Sequence, residues 1–368
     1  MGLLGLSGCG SPSSASVEMS SQTELVKTGS MELQYAENFA VDYYEDGYKM
    51  LTTLPDSKRY LLVPEGQPVP KGLDEDVSIL QEPLQNIYLV ASGVMDMFAS
   101  VDAVDQIRFS GQKQENWYIQ TAKDAMAAGD MIYAGKYSKP DYELLVSEGC
   151  DLAIENRMIT HSPEVVEMLQ SFDIPVMIEY SSYEHHPLGK VEWVKFFGAL
   201  TGKEAEAEEA FAEQTEILEK VESGEKTGKT IAFFYVTSNG LIQVRQSTDY
   251  IPKLIELAGG RYIFEDLEDS GSGRSTLNMQ VEDFYAGAKD ADILIYNSSI
   301  DGGVTTLDEL IGKCNILKDF KAVQEGQVYC TTNDMYQQSM AIGYLLQDMH
   351  TVLTDDDTAK LRYLFLLQ

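Results

Sequence analysis

The stretch LGKVEWVKFFGALTGKEAEAEEAFAEQTEILEKVE, Leu188 to Glu222, decides the fold. It holds no strand signal. Its first part repeats apolar residues at helical spacing, Thr201-Gly202-Lys203 interrupts it, and the rest is a charged helical segment. That segment alone, about 20 residues at 1.5 Å each, reaches roughly 30 Å. On both sides the chain alternates short apolar strands with helices, the pattern of mostly parallel sheets covered on both faces. The reading is an α/β protein of two lobes, residues 31–187 and 225–368, joined by a long bridging helix over 188–224.

Before the connector, YAENFAVDYYEDGYKMLTTL reads as a strand hairpin turning at EDG, with folded structure beginning near Tyr35. RYLLV, QNIYLVA, DQIRFSG, CDLAIE and IPVMIEY follow as strands. Between them lie helices opening at Ser92 and at Ser162-Pro163, the serines as caps and Pro163 at the first helical position. After the connector, TIAFFYV, ADILIYN and GQVYCTT are strands, TDYIPKLIELAGG a helix stopped by glycine, and MAIGYLLQDMHTVL and TAKLRYLFLLQ closing helices.

The 368 residues exceed the size at which a single core keeps growing, which also favours two lobes. Lys and Arg total 27 against 59 Asp and Glu, a net charge of −32 that repels phosphate backbones and excludes nucleic-acid binding. Cys9, Cys150, Cys314 and Cys330 show no paired spacing of a zinc or redox site. No run of about 18 apolar residues is present to span a bilayer.

Leu6-Ser7-Gly8-Cys9 reads either as a ragged terminus with an incidental cysteine or as a lipoprotein cleavage box, with Cys9 the acylated residue. Residues 1–30 fit a signal remnant followed by a tether. Leu3, Leu4 and Leu6 look like the tail of an apolar core, no Lys or Arg precedes Cys9, and Ser11 to Thr28 is small, polar and aperiodic.

A cleavage box, an α/β lobe, a bridging helix and a second α/β lobe together resemble the substrate-binding lipoproteins of ABC importers. The closer resemblance is to the helical-backbone class that binds ferric siderophores, haem and cobalamin. YLLVPEG, AGKYSKPDYELLVSEGCDLAIE, SSYEHHPLG and KDADILIYN carry the likeness, which covers nearly all of Tyr35 to Gln368. The resemblance implies a monomer, lipid-anchored outside the cytoplasm, that needs no cofactor and binds without chemistry. It would deliver a metal chelate or corrinoid to a permease and its ATPase. It also implies one docking carboxylate per lobe: Glu143 in PDYELLVSEGCD, and Glu282 in VEDFYAGAKDAD, where two extra residues precede the strand.

Open α/β sheets bind ligands beyond the carboxyl ends of their strands. In the N-terminal lobe this singles out Trp117 and Tyr118, then Tyr133, Lys136 and Tyr137, then Glu155 and Arg157, and finally Ser182, Tyr183, His185 and His186. In the C-terminal lobe it singles out Tyr235, Arg245, Arg274, Asn297 and Tyr336. Aromatic faces with a few cations suit a large, flat or anionic ligand. Each has a plainer alternative: core burial for Trp117, a cap for a histidine, a carboxylate partner for an arginine. His185 and His186 are adjacent and point to opposite faces of an extended chain, and no third ligand stands at a recognisable spacing, so no bare metal site is expected. Dehydrogenase, P-loop, serine-hydrolase and zinc-protease signatures are absent from the sequence. A tetrapyrrole metal chelatase, a free-ion binding protein and a surface sensor remain as rival readings.

Overall fold

The computed structural model describes Met1 and residues 25–267, 275–298 and 303–368. Three main sheets organise them. The first runs in chain order through Lys27–Ser30, Phe39–Tyr44, Lys49–Thr53, Lys58–Val63 and Val77–Gln81, antiparallel except for its last pair. The second is all parallel, in the order Val176–Glu179, Leu152–Asn156, Ile87–Leu89, Ile107–Ser110, Ile132–Tyr133. The third has a parallel centre of Thr230–Val236, Ile293–Tyr296 and Val328–Thr331. Antiparallel strands flank it: Ile242–Arg245 and Thr276–Met279 on one side, Leu364–Leu366 on the other.

The expected α/β class and parallel lobes are present, with four local differences. The expected hairpin turns at Glu45–Gly47, but it belongs to a sheet of its own that begins at Lys27 rather than near Tyr35. TAKLRYLFLLQ ends in a strand, because Leu364–Leu366 pairs with the edge left open by Val328–Thr331. Pro163 does open its helix, but neither serine caps through its side chain: Ser162 makes no such bond, and the cap position before Val94 is Gly93.

The fourth difference is the connector. It is a hairpin of two helices, Pro187–Thr201 and Glu204–Glu222, and not one rod. Gly202 takes a left-handed conformation (φ 72°) that a helix cannot continue through. The second helix then folds back along the first. Lys195 pairs with Glu208 at 2.9 Å and lies 4.5 Å above the Phe211 ring. The approach is close enough that a β-carbon on Gly198 would sit 2.5 Å from that of Ala207.

The first connector helix is buried from Pro187 through Leu200, its apolar residues spread around the helix and its three charges buried with them. It is the axis of a continuous core that takes Phe39 from the first sheet, Leu89 from the second and Phe233 from the third. Its buried carboxylate Glu192 accepts the main-chain N–H groups of Gln34 (2.9 Å), Tyr35 (2.8 Å) and Ala36 (2.9 Å), with Lys195 at 3.5 Å. Just ahead of the helix, Glu184 accepts from the amides of Glu37 (2.9 Å) and Asn38 (3.0 Å) and from the Trp193 indole (2.8 Å). Two carboxylates thus fasten residues 34–38, and with them the first sheet, to the connector.

Replacing Glu192 by Ala strands several buried amides and half the pairing of Lys195. We expect a loss of about 3 kcal/mol in urea unfolding. A loss under about 1 kcal/mol would mean that the leading segment is held by packing alone.

Candidate functional site

A groove opens where the strands Leu152–Asn156 and Val176–Glu179 end, facing the third sheet across the connector. It has two adjoining compartments. An inner cavity of about 270 Å³ is bordered by Arg157 and Tyr183 on one side, by Arg245, Tyr250 and Tyr336 on the other, and by Lys190 of the connector. An outer cavity of about 460 Å³ continues past Tyr180 and His185 to Thr248. Arg157, Ser182, Tyr183 and Ser275 border both.

The cations set the chemistry. The Arg157 guanidinium lies 4.6 Å from the centre of the Tyr183 ring. Arg245 lies 5.7 Å from the Phe233 ring and reaches Asp249 at 3.4 Å. Lys190 is 5% exposed, with its ammonium 4.8 Å above the Tyr250 ring. Among the described residues it has neither a hydrogen-bond acceptor nor an ion-pair partner.

Three carboxylates sit near Lys190, each committed to other donors. Asp249 caps the following helix through the Ile251 amide (2.9 Å), Glu179 accepts from Ser181 N (2.8 Å) and Oγ (2.5 Å), and Asp96 accepts from Met340 N (2.7 Å). Burial raises the pKa of all three, to about 6 for Asp96.

Contacts also join the two lobes around the groove. His185 Nδ1 bonds the Thr248 carbonyl at 2.8 Å. The buried Gln337 amide donates to the Asn116 carbonyl (2.9 Å) and accepts from Tyr118 N (2.8 Å).

Of the residues expected to bind ligand, the groove gathers Arg157, Ser182, Tyr183, His185, Arg245 and Tyr336. Trp117 does not reach it. Its indole is fully buried in the main core and donates to Ser110 Oγ at 3.0 Å. Tyr118 is exposed outside the lining, with Lys123 5.9 Å from its ring. Tyr133 and Lys136 are exposed near the edge of the second sheet, and Tyr137 packs on a separate apolar cluster.

His186 caps the connector by accepting from Leu188 N (3.1 Å) and stacks on Tyr35 at 4.5 Å. Tyr235 and Asn297 border, with Arg245, a crevice of only about 10 Å³, too small for a ligand. Arg274 and Cys9 lie outside the described residues. Glu143 and Glu282 are exposed on the helices Tyr142–Ser147 and Val281–Ala288. No group of three or more metal-binding side chains occurs among the described residues.

Sequence reasoning missed Lys190, Tyr180 and Tyr250. The available signal was a lysine inside an otherwise apolar helical repeat, a charge that must either escape to water or face a cavity.

Glu155, expected at the groove, is fully buried on the opposite face of its strand beside Ala153, and neither carboxylate oxygen has a hydrogen-bond partner among the described residues. Burial pushes its pKa from 4.5 up to about 8. Between those two values the native chain holds one more proton than the unfolded chain. Stability therefore falls as pH rises through the window, by up to about 1.4 kcal/mol per pH unit. Glu155→Gln is expected to flatten this slope and to be the more stable protein above about pH 8 in thermal melts. An unchanged slope would place the proton elsewhere.

Comparison with known proteins follows the same outline. A family profile described as periplasmic binding protein matches residues 91–335. An uncharacterized lipoprotein of Methanocaldococcus jannaschii is 24% identical over 353 residues, covering 87% of this chain and 81% of its own length. The periplasmic heme-binding protein HutB of Vibrio cholerae superposes with a TM-score of 0.57 at 14% identity, over 73% of this chain and 98% of that one. The ABC-type Fe3+-hydroxamate transport system structure from Saccharomonospora viridis gives 0.56 at 16% identity, over 73% and 93%. At such identities the solved structures attest the fold. The profile, however, spans well over half of the sequence, so the chain belongs to the periplasmic binding protein family, a family of binding proteins and not of enzymes.

Proposed function

We propose that this protein is the extracytoplasmic, lipid-anchored substrate-binding component of an ABC importer. Its cargo is an anionic metal chelate of siderophore or haem type, held between the lobes and passed to a permease. The observation that carries the reading is Lys190: a largely buried lysine whose ammonium opens onto a cavity that Arg157 and Arg245 also border and has no hydrogen-bond acceptor among the described residues. An ammonium that faces only this cavity is available to pair with an anion that enters it. The tyrosines around it offer flat apolar area, and a chelate that is both flat and acidic uses both features. Iron and haem cargo named for similar structures, and lipoprotein names among relatives, support the same reading. A corrinoid matches the aromatic area but makes less use of three cations. No described helix is long and apolar enough to cross a membrane, which suits attachment through acylated Cys9.

Capture requires only a small motion, since a shared core and direct interlobe bonds limit how far the lobes part. Glu143 and Glu282, exposed on separate lobes, are the proposed permease contacts.

A thermal-shift panel of haemin, ferric citrate, ferrioxamine B, cyanocobalamin and free divalent ions tests the cargo. At a hundred times Kd a true ligand adds about 2.7 kcal/mol of stability. Lys190→Met is expected to leave the melting temperature of the ligand-free protein little changed and to weaken anionic chelates about tenfold or more. A destabilised variant, or one that binds them unchanged, would make Lys190 a structural residue. If no probe shifts the melt while a substrate is turned over, the carrier reading is wrong. Charge reversal at Glu143 and Glu282 should cut cellular uptake of a bound chelate with its affinity intact. Lost affinity would place the two carboxylates at the cargo.

A further inference from the structure

The family profile begins at residue 91, but the groove does not. Asn38 and Pro55 of the first sheet border its outer compartment, opposite Thr248 and Ser275 of the C-terminal lobe. Asn38 Nδ2 donates to the Tyr183 carbonyl at 3.3 Å, and Asp56, one residue beyond Pro55, is close enough to Tyr180 to raise its pKa by charge. One aromatic residue of the groove is therefore held from the appended sheet, and a second lies beside it.

The sheet is also fixed in place. Phe39, Val41, Leu51, Tyr60 and Leu62 enter the main core, Tyr60 donates to the Val176 carbonyl at 2.8 Å, and Glu184 and Glu192 hold residues 34–38 between its first two strands. Its opposite face is closed by a small core around Tyr48, Met50, Leu61 and Val63. Neither face is left over for another task, and the rim at residues 38 and 55 points at the groove.

The geometry points to the appended sheet, Lys27–Gln81, as a third wall of the groove that selects cargo by size. The inference rests on the capture reading above. The inner cavity, at about 270 Å³, falls just short of the usual range of small-molecule sites, about 300–1,000 Å³. The outer one, at about 460 Å³, more than doubles the space. A chelate filling both would set its acidic groups among Lys190, Arg157 and Arg245 and lay its bulk along Tyr180 and Tyr183 toward Pro55. A small chelate would occupy the inner end and never meet the sheet.

Pro55 is exposed at the tip of a turn, so a large side chain there does not threaten the fold. Titration calorimetry of the full chain with haemin (large) and ferric citrate (small) reads the difference. Pro55→Trp is expected to weaken haemin about tenfold and to leave ferric citrate within about twofold, with an unchanged melting temperature. Asn38→Ala, which releases the Tyr183 carbonyl, should act in the same direction. Equal change for both ligands, or for neither, overturns the wall and leaves capture standing, as does an unmodified protein that takes ferric citrate but not haemin. Failure of the unmodified protein to bind any chelate strikes the capture reading, and the wall falls with it.

Discussion

One helix carries three charged side chains to largely buried positions. Lys190, Glu192 and Lys195 of the first connector helix are each at most 5% exposed. A buried charge costs several kcal/mol unless partners replace its hydration. Glu192 finds three main-chain amides and Lys195, and Lys195 finds two carboxylates and the Phe211 ring. Those two charges bind the helix to the leading segment and to its hairpin partner. Lys190, about a turn earlier, has a tyrosine face and a cavity. The helix is thus anchored at one end and presents a cation to the groove at the other.

The same helix governs motion. Because core residues from all three sheets meet on it, the lobes cannot part widely without exposing apolar area at roughly 25 cal/mol per Å². The direct bonds between the lobes are few and polar, from His185 to Thr248, from Gln337 to the 116–118 loop and from Asp96 to Met340. Bonds of this kind exchange with water at a net cost of about 1 kcal/mol each. The expected dynamics are small tilts about a fixed axis, enough to admit a ligand and to alter the surface shown to a partner.

Much of this was legible in local pattern. Strand and helix alternation marked the parallel sheets, and the strand-free run after Leu188 marked the connector. The losses have specific physical sources. Thr201-Gly202-Lys203 was readable as an interruption, but the direction taken afterwards depends on Gly198 meeting Ala207, a contact between helices that periodicity does not encode. Trp117 sits among polar neighbours and looked available to a ligand, yet its indole is satisfied by Ser110 on the preceding strand. The first sheet announced its hairpin but not its independence, because the parallel pairing of Lys58–Val63 with Val77–Gln81 spans a loop without regular pattern. Glu155 followed the right strand and pointed to the wrong face, the standard risk when one residue of register inverts every side chain.

The distribution of charge separates selection from encounter. A net charge of −32 opposes the approach of any anion, while the cations at the groove are few and recessed. At physiological ionic strength that repulsion fades beyond about 8 Å, so it slows arrival only modestly. Inside the groove charges are screened less, and although Glu179, Glu184 and Asp249 line it beside Arg157, Arg245 and Lys190, each of those carboxylates already accepts hydrogen bonds from the protein. An anionic cargo would therefore be chosen after entry, by fit to a preformed set of cations and rings, and not gathered by long-range steering. The same acidity holds the body of the protein off an anionic lipid surface. On the proposed reading, a lipid anchor at Cys9 would supply the attachment that this surface refuses, leaving the groove and the proposed docking carboxylates Glu143 and Glu282 free to face a partner.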